Sequence, residues 1–199
     1  VATSEAQRAL AERISGSARD FGEVLARLLD FSRLDEGAVR DGVEVFDPRA
    51  LLERVARPHR VEAGRLGLDF SLRVGHLPAR LQGNRAVLSE VLDQLLGSAL
   101  RNARGAGVAL EAEPGPEPAD SGPAPGRVQV LVSVRGVGRG GAAQIRLLSS
   151  EPQVRPEGQE IALALCERQV ELLGGHIWAE GAPGEPGGLR LAVPLARVG

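Results

Sequence analysis

The chain has 199 residues, 43% hydrophobic and 25% charged, a length that supports one core plus an appendage. Its net charge of −2 leaves no basic excess to displace counterions, which excludes nucleic acid as the main partner. No apolar run approaches the ~18 residues of a spanning helix, the polar start Val1-Ala2-Thr3-Ser4-Glu5 is not a signal peptide, and the single cysteine, Cys166, fits a reducing compartment.

In chain order, residues 4–34 are expected to form one long helix. Leu10, Ile14, Phe21, Leu25 and Leu28 recur at spacings of four, seven, four and three, a seam suited to a partner helix. The same periodicity would serve a helix packed on its own domain. Asp35-Glu36-Gly37 ends it, with Gly37 able to take a left-handed cap. Asp47 then reads as an N-cap and Pro48 as the first helical residue before Leu51, Leu52 and Val55. Pro58 is expected to kink or split that helix. Residues 66–74 alternate as a strand, and Leu77 to Asn84 reads as a short strand running into the next helix.

In that helix Val87, Leu88, Val91, Leu92, Leu95, Leu96, Ala99 and Leu100 form a broad apolar stripe. Glu90, Gln94 and Ser98 stack on the opposite face, with Arg101 one turn further on. Residues 108–113 and 127–135 read as strands, the second placing Val128, Val130, Val132 and Val134 on one face. Between them Pro114 to Gly126 holds five prolines and reads as a disordered hairpin connection. A helix over 159–173 turns Leu163, Cys166, Val170 and Leu173 inward and stops at Gly174-Gly175. Residues 176–180 and 189–195 close as strands. An α+β fold, with an antiparallel or mixed sheet and helices on one face, is the economical arrangement.

Three strings carry a family resemblance. Leu28-Leu29-Asp30-Phe31-Ser32-Arg33-Leu34-Asp35-Glu36-Gly37 closely resembles the end of the second helix of the histidine-kinase dimerisation hairpin, L-x-D-F-S-R/K-L-E-x-G. Residues 171–184, ELLGGHIWAEGAPG, are similar to the V-E-L-H-G-G-x-I-W-V-E-S-x-P-G after that family's second glycine box. Residues 90–102 resemble its N-box, Q-V-L-x-N-L-L-x-N-A-x-K, with the asparagines falling on Gln94 and Ser98, the lysine on Arg101, and Asn102 beyond. The chain therefore resembles the C-terminal part of a sensor histidine kinase. Residues 1–37 correspond to the second helix of the dimerisation hairpin. Residues 44–199 correspond to the catalytic ATP-binding domain (HATPase_c) of the gyrase, Hsp90, histidine kinase and MutL superfamily, GHKL. The resemblance implies a two-layer α/β sandwich of the Bergerat type, its mixed sheet mostly antiparallel, preceded by one long dimerisation helix.

The motifs that hold ATP in that family depart from its pattern here. Residues 132–140 align with V-x-V-x-D-x-G-x-G, placing Gly136 where the adenine-binding aspartate stands and keeping Gly138 and Gly140, which would serve equally as turn glycines. In the second glycine box, G-x-G-L-G-L, Gly158 survives while Glu160 and Ala162 replace the other glycines. A Glu160 carboxylate against a polyphosphate costs roughly 1 kcal/mol in water-like surroundings and several times that in a partly closed site; on an empty helix terminus it is a favourable first-turn acid. Ser98 is shorter than the asparagine that ligates magnesium, and Arg101 would either meet a phosphate or lie solvated on the surface. Loss of the aspartate and the metal ligand costs on the order of 1.5–3 kcal/mol each, together roughly two to four decades in affinity. The lid between Gly141 and Gly158 is short and lacks the family's phenylalanines. His59, His76 and His176 fit no phosphoacceptor box and read as surface or strand-end residues, with no metal-ligand spacing.

The resemblance thus implies a kinase-core fragment with a degenerate nucleotide site and a regulatory or scaffolding role in phosphorelay signalling. The alternative is a divergent kinase that passes the γ-phosphoryl of ATP to a histidine outside this chain, using Arg101, Gly138 and Gly140. A third reading, a phosphotransfer protein fed by a response regulator, has less support. No cofactor is expected under the first reading and Mg-ATP under the second; no residue here is expected to be catalytic or to hold a metal of its own. Expected partners are a second copy or another histidine kinase through the hairpin helix, and a response regulator or receiver domain. No membrane contact is expected, and the cytoplasm is the expected location, whether or not a sensor anchors the chain. If nucleotide binding is absent, restoring Gly136→Asp, Ser98→Asn, Glu160→Gly and Ala162→Gly together is expected to recover some of it.

Overall fold

The computed structural model describes residues 42–103, 107–115, 126–137, 158–180 and 187–198. The helix expected over residues 4–34, with its seam at Leu10, Ile14, Phe21, Leu25 and Leu28, lies outside the described residues, as do positions 116–125 of the proline-rich connection. The described chain begins with a strand absent from the sequence reading, β1 (Val43–Phe46), in which only Phe46 is buried. Asp47 caps α1 (Pro48–Arg65): its carboxylate accepts from Arg49 N at 2.8 Å and Ala50 N at 3.2 Å. Pro48 fills the first turn, where its missing N–H is no loss.

Pro58 does not split α1, which runs through it for 18 residues. Pro58 and Arg54 are both exposed, so the carbonyl that the proline leaves without its N–H faces water. The helix ends in a Schellman motif: Leu68 N donates to Ala63 O at 2.9 Å and Gly67 N to Gly64 O at 3.3 Å, with Gly67 at φ 68°. This turn takes residues that the sequence assigned to a strand. The strand β2 begins only at Phe70 and ends at Val74.

β3 (Leu81–Asn84) leads directly into α2 (Arg85–Asn102), with Asn84 as N-cap accepting from Val87 N at 3.1 Å. The stripe from Val87 to Leu100 is buried as expected, and Val91, Leu92, Leu96 and Ala99 are fully enclosed. β4 (Val108–Pro114) and β5 (Arg127–Val137), strands expected over 108–113 and 127–135, pair antiparallel. α3 (Gly158–Leu172) buries Leu163, Cys166 and Val170 and closes in a second Schellman motif, with Gly175 N on Val170 O at 2.9 Å and Gly174 at φ 75°. β6 (His176–Glu180) and β7 (Gly187–Arg197) complete a seven-stranded sheet ordered β1-β3-β7-β5-β4-β2, with β6 also on β7.

All pairings are antiparallel except β2 with β4. The C-terminal strand β7 is the hub. One edge pairs with β5 from Gly187 to Ala196; the other is shared between β6, against Gly188–Ala192, and β3, against Ala196 and Arg197. α2 lies between α1 and α3 and packs on the sheet, so one continuous core runs from Leu51 and Leu52 through Leu95 and Leu96 to Val132 and Leu191. The architecture is α+β, a mixed and mostly antiparallel sheet with its helices in one layer. No helix of the described residues is long and apolar enough to cross a membrane.

Candidate functional site

Gln94 and Ser98 sit half-buried on α2 one turn apart, as the helical spacing required. Arg101 does not extend that row. Its guanidinium lies over Gly97, where an added Cβ would come 3.3 Å from Arg101 Nη1 and 3.9 Å from His59 Cε1. The missing side chain at 97 lets the arginine fold back toward α1. It enters a cleft of about 740 Å³ between the C-terminal parts of α1 and α2, together with His59, Glu62, Leu66, Leu68 and Leu100. Asn102 ends α2; its side chain lies outside the described residues.

His59 is not the surface histidine that the sequence suggested. Its side chain is 13% exposed and its Nε2 pairs with Asp93 Oδ1 at 2.8 Å, joining α1 to α2. His176 does open a strand, stacked on Trp178 with ring centroids 4.8 Å apart. Among the described residues no three His, Cys, Asp or Glu side chains gather as a metal site.

Gly136 stands at a bulge of β5, where the register with β7 shifts between Arg135 and Val137. Its φ is 97°, a conformation that side-chain-bearing residues rarely adopt. A Cβ built there would lie 2.6 Å from the carbonyl oxygen of Gly107 and 3.1 Å from Val108 Cα. Both are backbone atoms at the start of β4, and Gly107 is itself hemmed in, its own Cβ position being 2.7 Å from Asp69 O. A side chain at 136 would therefore strain the backbone and press on the residues that open β4. To the sequence reading of residues 132–140 the structure adds a backbone conformation at 136 that favours glycine.

Gly138 and Gly140, and the lid up to position 157, lie outside the described residues. Gly158 opens α3 and Glu160 falls in its first turn, with Ala162 just beyond. The side chains at 158–162 also lie outside the described set. The strands and helices thus bring the N-box-like helix and the end of β5 into one domain. Of the described candidate residues, Gln94 and Ser98 stay on one flank of α2 while Arg101 leaves for another. Sequence reasoning missed two things: His59 pairing with Asp93, which are 34 positions apart, and Asn84 as the N-cap of α2, which was legible from an Asn placed before an apolar-periodic run.

No protein-family model matches the sequence. The chain is 27% identical over 188 residues to the hybrid signal transduction protein dokA of Dictyostelium discoideum, a match that covers 91% of the chain but 11% of dokA. Among solved structures it resembles full-length ShkA in complex with AMPPNP, at TM-score 0.67 and 25% identity over 94% of this chain and 38% of ShkA. A histidine kinase from Burkholderia phymatum STM815 matches at TM-score 0.56 and 20% identity, covering 87% of this chain and 80% of that one. The catalytic domain of the histidine kinase ThkA matches at TM-score 0.56 and 18% identity, over 76% of this chain and 95% of that domain.

Proposed function

We propose that this chain, which has the fold of the GHKL catalytic domains of histidine kinases, serves phosphorelay signalling as a regulatory or scaffolding module and does not use its nucleotide site. The observation that carries the reading is Gly136, whose positive φ, with the Gly107 carbonyl 2.6 Å from where a Cβ would lie, disfavours the acid that would anchor adenine. Two further features support it. Ser98 aligns with the family's metal-ligating asparagine, and Arg101, which aligns with its lysine, lies over Gly97 in the cleft shared with His59. Among the described residues, this set offers Mg-ATP neither the adenine-binding acid nor the metal-ligating asparagine of the family pattern.

Partners follow from the same reading: a second kinase subunit, and a response regulator or receiver domain docked on the catalytic-domain surface. A cytoplasmic location is part of the proposal. Calorimetric titration of the chain with Mg-ATP tests it, with no binding heat expected through the submillimolar range. Micromolar binding would establish the alternative, a divergent kinase acting on a histidine elsewhere, a reading favoured by the likeness to a protein solved with AMPPNP.

A further inference from the structure

The cleft between α1 and α2 gathers a helical glycine, an apolar wall and an arginine. Its floor is Gly97, a glycine inside an 18-residue helix, where glycine costs roughly 1 kcal/mol relative to alanine. With a larger residue there, the volume of about 740 Å³ would be partly filled and Arg101 displaced. One wall is apolar, formed by Leu68, Leu100 and the 53% exposed Leu66. The other is polar. His59 is held in place by Asp93, and Glu62 at the rim lies 3.7 Å from Arg65. Arg101 brings its planar fork into the same cleft, where Glu62 is the one carboxylate among the lining residues.

We infer that this cleft binds a small organic monoanion, a carboxylate carried on an apolar body of several carbons. The carboxylate pairs with the Arg101 guanidinium, to which a two-pronged acceptor is matched. The carbon body lies along Leu66, Leu68 and Leu100. Glu62 opposes a ligand of higher charge, which separates this site from one for polyphosphate. Successive helical residues point about 100° apart, so the cleft over Gly97 is on a different flank of α2 from Ser98. The inference rests on the proposed function, because a nucleotide held by Arg101 would compete for the same guanidinium.

Octanoate is the probe, and octanamide its uncharged counterpart. In amide-resolved NMR titrations of the chain, octanoate is expected to shift Gly97, Leu100 and Arg101 with a dissociation constant at or below millimolar. Octanamide is expected to bind about tenfold more weakly, the loss of one charge-assisted contact. Arg101→Gln should weaken octanoate by the same factor and leave octanamide unchanged, whereas Glu62→Gln should tighten octanoate about threefold by removing a like charge. Gly97→Leu should abolish both. No shift with millimolar octanoate would overturn the inference, as would equal binding of octanoate and octanamide or indifference to Arg101→Gln. The arginine and glutamate variants change exposed side chains, so the outcome does not depend on whether the leucine variant folds.

Discussion

At the scale of single residues, the two glycines of the site region act in opposite ways. Gly97 leaves space open, while Gly136 exists because space is closed. Gly136→Ala is expected to destabilise the fold by about 1–3 kcal/mol, the range for a residue held in a disallowed backbone region. Part of that arises from the Gly107 carbonyl 2.6 Å from the new Cβ. Urea unfolding midpoints of the two proteins measure it, and an unchanged midpoint would remove the steric argument. The difference between the two glycines was not legible in sequence. A glycine missing its expected acid and a glycine in a helix both read as omissions, and only backbone dihedrals and neighbours from residues 29 and 38 positions away separate them.

At the scale of elements, capping chemistry accounts for most of what the sequence disclosed. Asp47-Pro48 fixed the start of α1 and Gly174-Gly175 the end of α3, because both motifs satisfy orphan backbone groups with residues that are adjacent in the chain. Asp47→Ala should cost about 1 kcal/mol, since Arg49 and Ala50 lose their acceptor; thermal melts provide the measure. Where sequence reading failed, tertiary packing had overridden a local rule. Pro58 sits mid-helix because the inner face of α1, from Leu51 and Leu52 to Ala63, is held against the core on both sides of it. Replacing it should then relieve a standing cost. Pro58→Ala is expected to stabilise by about 1–3 kcal/mol, as the restored N–H reaches the Arg54 carbonyl. A lower unfolding midpoint would instead give Pro58 a structural role. The strand expected from Leu66 was shortened for a related reason, because Gly64 and Gly67 supply a helix stop that alternation alone does not register.

At the scale of the molecule, α2 is the centre on which both helix neighbours and the sheet depend. Leu95 is 1% exposed in the shared core, and Leu95→Ala is expected to cost about 2–5 kcal/mol. A single cooperative transition, shifted as a whole in denaturant, is the expected form, because one core unites the described elements. The strand order was not legible, since pairing partners lie far apart in the chain and valine-rich segments carry no label of their neighbour. The hub position of β7 bears on biosynthesis. A strand that ends at Arg197 must be inserted between strands made much earlier, β3 and β5. On the ribosome, then, β3, β5 and β6 each keep the edge that faces β7 bare until β7 has cleared the exit tunnel. Nascent chains stalled before it should be held by chaperones and cut by proteases that spare the finished domain.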